Sequence, residues 1–221
     1  MVERVGHHAK KKTIHASEQQ RSDVKEARDS WFERLLEACQ GDLRRLLFLD
    51  ETGANTSMVR TYGRSVRGER CVGSAPGGHW KTMTGVAAIR LDGLTAGATM
   101  AHAMDSISFI IYVTEALVPM LRPGDVVIMD NLPGHQPAKV RELIESAGAT
   151  LLYLPPYDST ELVEVSPDFN PIEMIWSKVK RLRRSLAART IETLHDAFAK
   201  AFDAVTISDI QNCFDHCGYK L

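Results

Sequence analysis

The chain has 221 residues, 44% of them hydrophobic, enough for one large domain, or a domain with an appendage, around a real core. Lys and Arg (27) nearly balance Asp and Glu (28), which excludes polyanion binding through net charge alone; a nucleic-acid partner has to be held by a local basic patch. Cys39, Cys71, Cys213 and Cys217 form no paired framework, and neither a signal-peptide pattern nor a long uncharged apolar run occurs, so a reducing cytoplasm is the default setting.

The first segment, through about Asp23, carries His7, His8, Lys10, Lys11, Lys12 and His15 with almost nothing apolar, and reads as a solvated arm. A helix is predicted from Ser22 or Asp23, presenting Trp31, Leu35, Leu36 and Ala38 until Gly41 stops it. Residues 1–42 are thus expected as an arm and linker helix, and 43–221 as the main domain. Leu46-Leu47-Phe48-Leu49 then runs into Asp50-Glu51, four apolar residues ending in acids. A second strand is predicted over Thr56 to Val66. Asp92-Gly93, as a two-residue turn, makes a hairpin of Lys81 to Leu91 and Leu94 to Met100. Asp105-Ser106 suits the cap of a helix with Phe109, Ile110, Val113, Leu117 and Leu121 on one face, closed by Pro123-Gly124.

Val126-Val127-Ile128-Met129 suits a strand covered on both faces, and it too runs into an acid, at Asp130-Asn131. A helix from about Pro137, with Val140, Leu143, Ile144 and Ala147 on one side, leads to the strand Thr150 to Leu154, which Pro155-Pro156 ends. After a loop, a helix opens at Asn170-Pro171-Ile172-Glu173, and two more follow, Thr190 to Val205 and about Ser208 to Cys217. The fold class is α/β: a mixed sheet of antiparallel meandering strands plus parallel ones, flanked by helices, with a helical C-terminal tail. Cys213, His216 and Cys217 have the spacing of half a zinc site, but a second pair is missing, and such cysteines are usually small core residues.

If the strands ending at Asp50 and Asp130 are parallel neighbours, both carboxylates emerge at one edge of the sheet, and like charges so placed need a cation between them. All-oxygen sites suit Mg2+ or Mn2+, and two ions about 3.5–4 Å apart clamp the attacking and leaving oxygens of an in-line phosphoryl displacement. Glu173 is the leading third acid, although it equally suits a capping box that ties off its own helix. Between Met174 and Ile191 there is no acid, whereas Lys178, Lys180, Arg181, Arg183, Arg184 and Arg189 are basic. Ile172, Ile175, Val179, Leu182 and Leu186 make the expected buried stripe, leaving Ser177, Lys180 and Arg184 on the face of Glu173. An acid-free run beside a metal site suits a nucleic-acid backbone; the plain alternative is a solvated helix face.

Five motifs in order carry a family resemblance: Leu49-Asp50-Glu51-Thr52-Gly53, Gly78-His79-Trp80-Lys81-Thr82, Met129-Asp130-Asn131 with His135, Leu154-Pro155-Pro156-Tyr157, and Ser166-Pro167-Asp168-Phe169-Asn170-Pro171-Ile172-Glu173. Over roughly Leu43 to Leu221 the chain resembles the catalytic domain of DDE transposases, in particular the bacterial insertion-sequence branch allied to the mariner elements. The resemblance implies an RNase H-like fold, metal-dependent cleavage of DNA at transposon ends, and strand transfer into target DNA at TA sites. It implies Asp50, Asp130 and Glu173 as the catalytic, metal-binding acids, with Mg2+ or Mn2+, two ions, as cofactor. His135 matches the histidine that follows the second Asp, with a hydrogen-bonded turn histidine as the alternative; Glu51, Asn131 and Asn170 are further supporting positions. His79, Trp80 and Lys81 are expected to support the site or touch DNA, with Trp80 as plain core the alternative. Lys81, Lys178, Lys180, Arg181 and Arg184 form the expected DNA-binding set. The implied partners are double-stranded DNA, a second copy of the chain on that DNA, and a separately encoded N-terminal helix-turn-helix portion, in the cytoplasm of a bacterium at its nucleoid, with no membrane.

Two departures from the family pattern stand out. Asp158 to Val165, eight residues, intervenes between the Leu-Pro-Pro-Tyr segment and the last motif. Only a polar arm and one helix precede Leu43, where recognition modules are expected. Both departures favour a rival expectation, an inactive or domesticated remnant that binds DNA without cutting it. A nuclease of RNA–DNA hybrids without transposition is a weaker third.

Overall fold

The sheet is built outward from one long strand. A computed structural model describes residues 22–60, 62–130, 138–154 and 169–220. The polar arm, Asn131, His135 and the stretch Asp158 to Val165 lie outside the described residues. Strand β1 is Leu46–Asn55; β2, Thr82–Arg90, pairs with it antiparallel, and β3, Gly93–Met100, pairs antiparallel with β2. On the other side β4, Val126–Met129, runs parallel to β1, and β5, Thr150–Tyr153, parallel to β4. The order is β3-β2-β1-β4-β5, the mixed sheet expected, with its meander and its parallel strands meeting at β1.

Both faces of the central strands are buried, because side chains alternate across a strand and each face here has a helical layer. Leu46, Phe48, Val126 and Ile128 share one core with α1 (Ser22–Ala38), α4 (Pro171–Leu186), α5 (Ile191–Asp203) and α6 (Ile207–His216). Leu47, Leu49, Val127 and Met129 share the other with α2 (Ser106–Tyr112) and α3 (Ala138–Ser146). Helix α1 contributes Trp31 and Leu35 to the first core, and Cys39 follows them in.

Among the described residues, the strand expected over Thr56 to Val66 does not form. Strand β1 continues through Asn55 opposite Thr82, and the chain then leaves the sheet. Among the described residues Tyr62 (91% exposed) and Val66 have no layer to pack against, so their β-forming character is not used. The hairpin forms one residue earlier than expected: Arg90 pairs with Gly93, which makes Leu91 and Asp92 the turn. Asp105 caps α2 by accepting from the Ser108 N–H at 2.8 Å. The helix then widens into a π-turn at Val113–Leu117 and tightens at Val118–Met120, where Pro119 has no N–H for the preceding turn.

The edge where β2 ends and β4 begins is fixed by a buried ion pair. Arg90 and Asp125 are each 3% exposed and meet twice, Nη1 to Oδ1 at 3.1 Å and Nη2 to Oδ2 at 2.8 Å. The Arg122 N–H donates to the same Asp125 carboxylate at 2.7 Å, and Arg90 also donates to the Met120 carbonyl. Removing one member leaves the other charge buried. Asp125→Ala is therefore expected to cost about 3–5 kcal/mol of stability, and the double variant Arg90→Met/Asp125→Leu much less; urea unfolding of the three chains checks this.

Candidate active site

The register brings the two strand acids level. Phe48 on β1 stands opposite Ile128 on β4, so Asp50 and Asp130, each two residues further on, lie side by side beyond the paired positions and on the face that carries α4. The third acid arrives on α4 itself. Its apolar residues Ile172, Ile175, Trp176 and Val179 are all buried against the sheet, while Glu173 in the first turn is exposed. The capping-box alternative is not realised: Asn170 makes no side-chain capping bond, and its Oδ1 is buried without a hydrogen-bond partner among the described residues.

Two α4 side chains seat the helix on β1. Trp176, one turn after Glu173, donates its Nε1–H to Asp50 Oδ2 at 2.9 Å. Arg183, 2% exposed, donates Nη2–H to the Gly53 carbonyl at 3.2 Å and lies 4.1 Å over the ring of Phe198. Its Nε and Nη1 have no partner among the described residues, and burial, with the charge of Arg184 adding, pulls its pKa down to about 10. From the other side Lys178 pairs with Asp209 of α6, and the Tyr219 hydroxyl donates to the Phe169 carbonyl at 2.8 Å.

Asp50 registers its neighbours electrically. Burial pushes its carboxyl up to about 7, and the negative charges of Glu173 and then Asp130 act in the same direction. The Glu51 backbone N–H and the Trp176 indole, both donating to the carboxylate, oppose the rise. The Glu173 charge is thus felt at Asp50. Among the described residues, no three His, Cys, Asp or Glu side chains are already arranged to hold a metal ion. The donor chemistry nonetheless fits one: three carboxylates, no nitrogen or sulfur, and mutual repulsion that a hard divalent cation would relieve.

The basic residues divide in two. Lys178, Arg183 and Arg189 are taken into the fold, Arg189 by donating to the carbonyls of Thr56, Met58 and Ala188. Lys180, Arg181 and Arg184 stay on the outer side of α4, with Arg181 exposed. Trp80, for which a core position was the alternative, is 58% exposed, beside exposed His79 and Lys81. These three close a long exposed loop between β1 and β2 that also carries Arg60, Arg64, Arg67 and Arg70. That loop was missed as a basic surface, although the sequence signals it: Glu69 is the one acid between Glu51 and Asp92.

A strand order with an antiparallel meander joined through β1 to parallel strands, and acids at the ends of β1's paired stretch and of β4, defines an RNase H-like fold, shared with the catalytic domain of the Mos1 mariner transposase. A family model described as DDE superfamily endonuclease matches residues 45–195, and the chain belongs to that family. The Mos1 catalytic domain is 14% identical, with a TM-score of 0.58 and 93% of each chain covered. The Mos1 transposase in its paired-end complex with the left transposon end is 15% identical (TM-score 0.65), covering 95% of this chain and 63% of that one. The Mos1 paired-end complex with Mn is 17% identical (TM-score 0.66), covering 95% and 64%. The chain thus spans somewhat less than two thirds of the length of those transposases. No curated protein matches it in sequence.

A carboxyl raised in the folded state is protonated there at pH values where the unfolded chain has already lost the proton. Metal-free protein is thus expected to lose stability as pH rises from about 4 to about 7, with no further loss from this group above that. Asp50→Asn removes the effect and is expected to raise stability at about pH 8 by a few kcal/mol at most, read from urea midpoints in chelator at about pH 5 and about pH 8.

Proposed function

We propose that the chain is the catalytic domain of a DDE transposase, which cleaves DNA at transposon ends and joins the freed ends to target DNA at TA sites. One observation carries this: acids from β1, the end of β4 and the first turn of α4 interact through their charges at Asp50, beside surface cations. Asp50, Asp130 and Glu173 would hold Mg2+ or Mn2+, and Mos1 paired-end complexes contain Mn or Mg. When bound, such ions polarise a phosphodiester and activate an attacking water.

The chain's own residues supply position and charge. Trp176 orients Asp50, and α4 delivers Glu173 as a rigid turn. Lys180, Arg181, Arg184 and the Arg-rich β1–β2 loop would grip phosphates on either side of the acids. Hydrolysis breaks a P–O3′ bond, leaving a 3′-hydroxyl on one side of the nick and a 5′-phosphate on the other; that hydroxyl then attacks a target phosphodiester, forming a new P–O3′ bond as the target's own P–O3′ bond breaks and its 3′-hydroxyl leaves, with no covalent enzyme intermediate. Two DNA ends need two copies of the chain, so the working form would be a dimer on DNA. A second function, binding DNA without cutting it, is favoured by the lack of a preformed cation cage among the described residues.

A plasmid-nicking assay with Mg2+ separates the two. Wild type is expected to nick and Asp130→Asn to fall to background; equal nicking by both, or by neither, would remove the nuclease assignment. Lys180→Ala, Arg181→Ala and Arg184→Ala are each expected to weaken DNA binding and reduce the salt slope of log K by about one. Lys178→Ala, its ammonium engaged with Asp209, is expected to lower thermal stability and leave that slope unchanged.

A further inference from the structure

Trp176 is committed to the site although it is not an acid. It is 1% exposed, its ring packs against Phe202 with centroids 6.1 Å apart, and its Nε1–H meets Asp50 Oδ2 at 2.9 Å. Simple satisfaction of a buried indole does not account for this bond. The other buried tryptophan, Trp31, leaves its Nε1 without a partner among the described residues. The donor to Asp50 comes from a second element, α4, and rotation about the carboxylate torsion carries Oδ2 away from it and breaks the bond. Trp176 lies three residues after Glu173, one turn along the same helix. The third acid and the group that orients the first are therefore moved by one rigid unit.

We propose that Trp176 is a positioning residue for the cation site: its indole N–H holds Asp50 in a single orientation and couples that orientation to the seating of the Glu173 turn, so that cation affinity depends on it. The proposal rests on Asp50, Asp130 and Glu173 being the cation ligands. Partners that orient a ligating side chain typically change metal affinity by about 10–100-fold when removed. Trp176→Phe removes the donor and keeps an aromatic ring against Phe202.

The test is Mn2+ titration of the full chain, with free Mn2+ read by electron paramagnetic resonance, beside thermal unfolding. Trp176→Phe is expected to unfold cooperatively and to bind Mn2+ about ten-fold more weakly or worse, and Asp130→Asn to lose binding. A Trp176→Phe chain that binds as tightly as wild type while Asp130→Asn does not overturns the positioning role and leaves the cation site standing; a purely structural role lowers the unfolding temperature without moving the affinity. Wild-type binding by Asp130→Asn overturns the cation site and the positioning role together. Should Trp176→Phe fail to fold, the intact indole is observed instead in protein carrying 15N-tryptophan, its signal identified by elimination with Trp31→Phe and Trp80→Phe. Saturating Mg2+ is expected to move the Trp176 N–H resonance, and an unmoved resonance overturns the proposal.

Discussion

Helix α4 lies across β1, and the placement of Glu173 against the two strand acids depends on that crossing. The bond from Trp176 to Asp50 and the bond from Arg183 to Gly53 are spaced along both elements, so together they fix the helix in translation as well as in rotation. Beneath them Ile172, Ile175 and Val179 join Phe48 and Ile128 in one apolar core, a contact that is strong but indifferent to small slips. The polar contacts supply the register that the apolar ones lack.

This crossing is held at an energetic cost. Arg183 is buried with two donors unanswered among the described residues, and Asp50 is a carboxyl among carboxylates. An apolar residue at position 183 and an amide at position 50 would each relieve one of these penalties. The Phe198 ring over the guanidinium offsets part of the first. Buried charges that no stability argument requires are where a fold's function is most often to be sought, and here both sit on the line from α4 to β1.

The two strand acids were legible in the sequence because four consecutive apolar residues ending in Asp is a local pattern, and the strand period then places both carboxylates on one face. Glu173 was legible as a helix-start acid, but local pattern could not separate capping from ligation; Asn170 settles its half of that by making no side-chain capping bond. The division of the basic residues was not legible at all. Lys178 and Arg181 look alike on a helical wheel, and only the position of α6, fixed by long-range packing, decides that one meets Asp209 and the other solvent. Trp80 was open for a similar reason: a tryptophan beside a strand is core or surface according to whether a layer covers it, and among the described residues no layer reaches the β1–β2 loop. The strand expected after Asn55 failed where Val66 and Tyr62 offered β-forming side chains without a surface to receive them.

Strand β1 does not stop at its acid. It runs five residues past Asp50, paired to β2 all the way to Asn55 opposite Thr82, while its pairing with β4 ends at Phe48. Past that point the chain is held on two sides: by β2, itself paired to β3 as far as Thr84, and by Arg183 and Arg189, which donate to the carbonyls of Gly53, Thr56 and Met58. Ladder bonds and these arginine contacts run together from Asp50 to the start of the arginine-bearing loop. A displacement of that loop would therefore be shared between the backbone of Asp50 and the helix that carries Glu173.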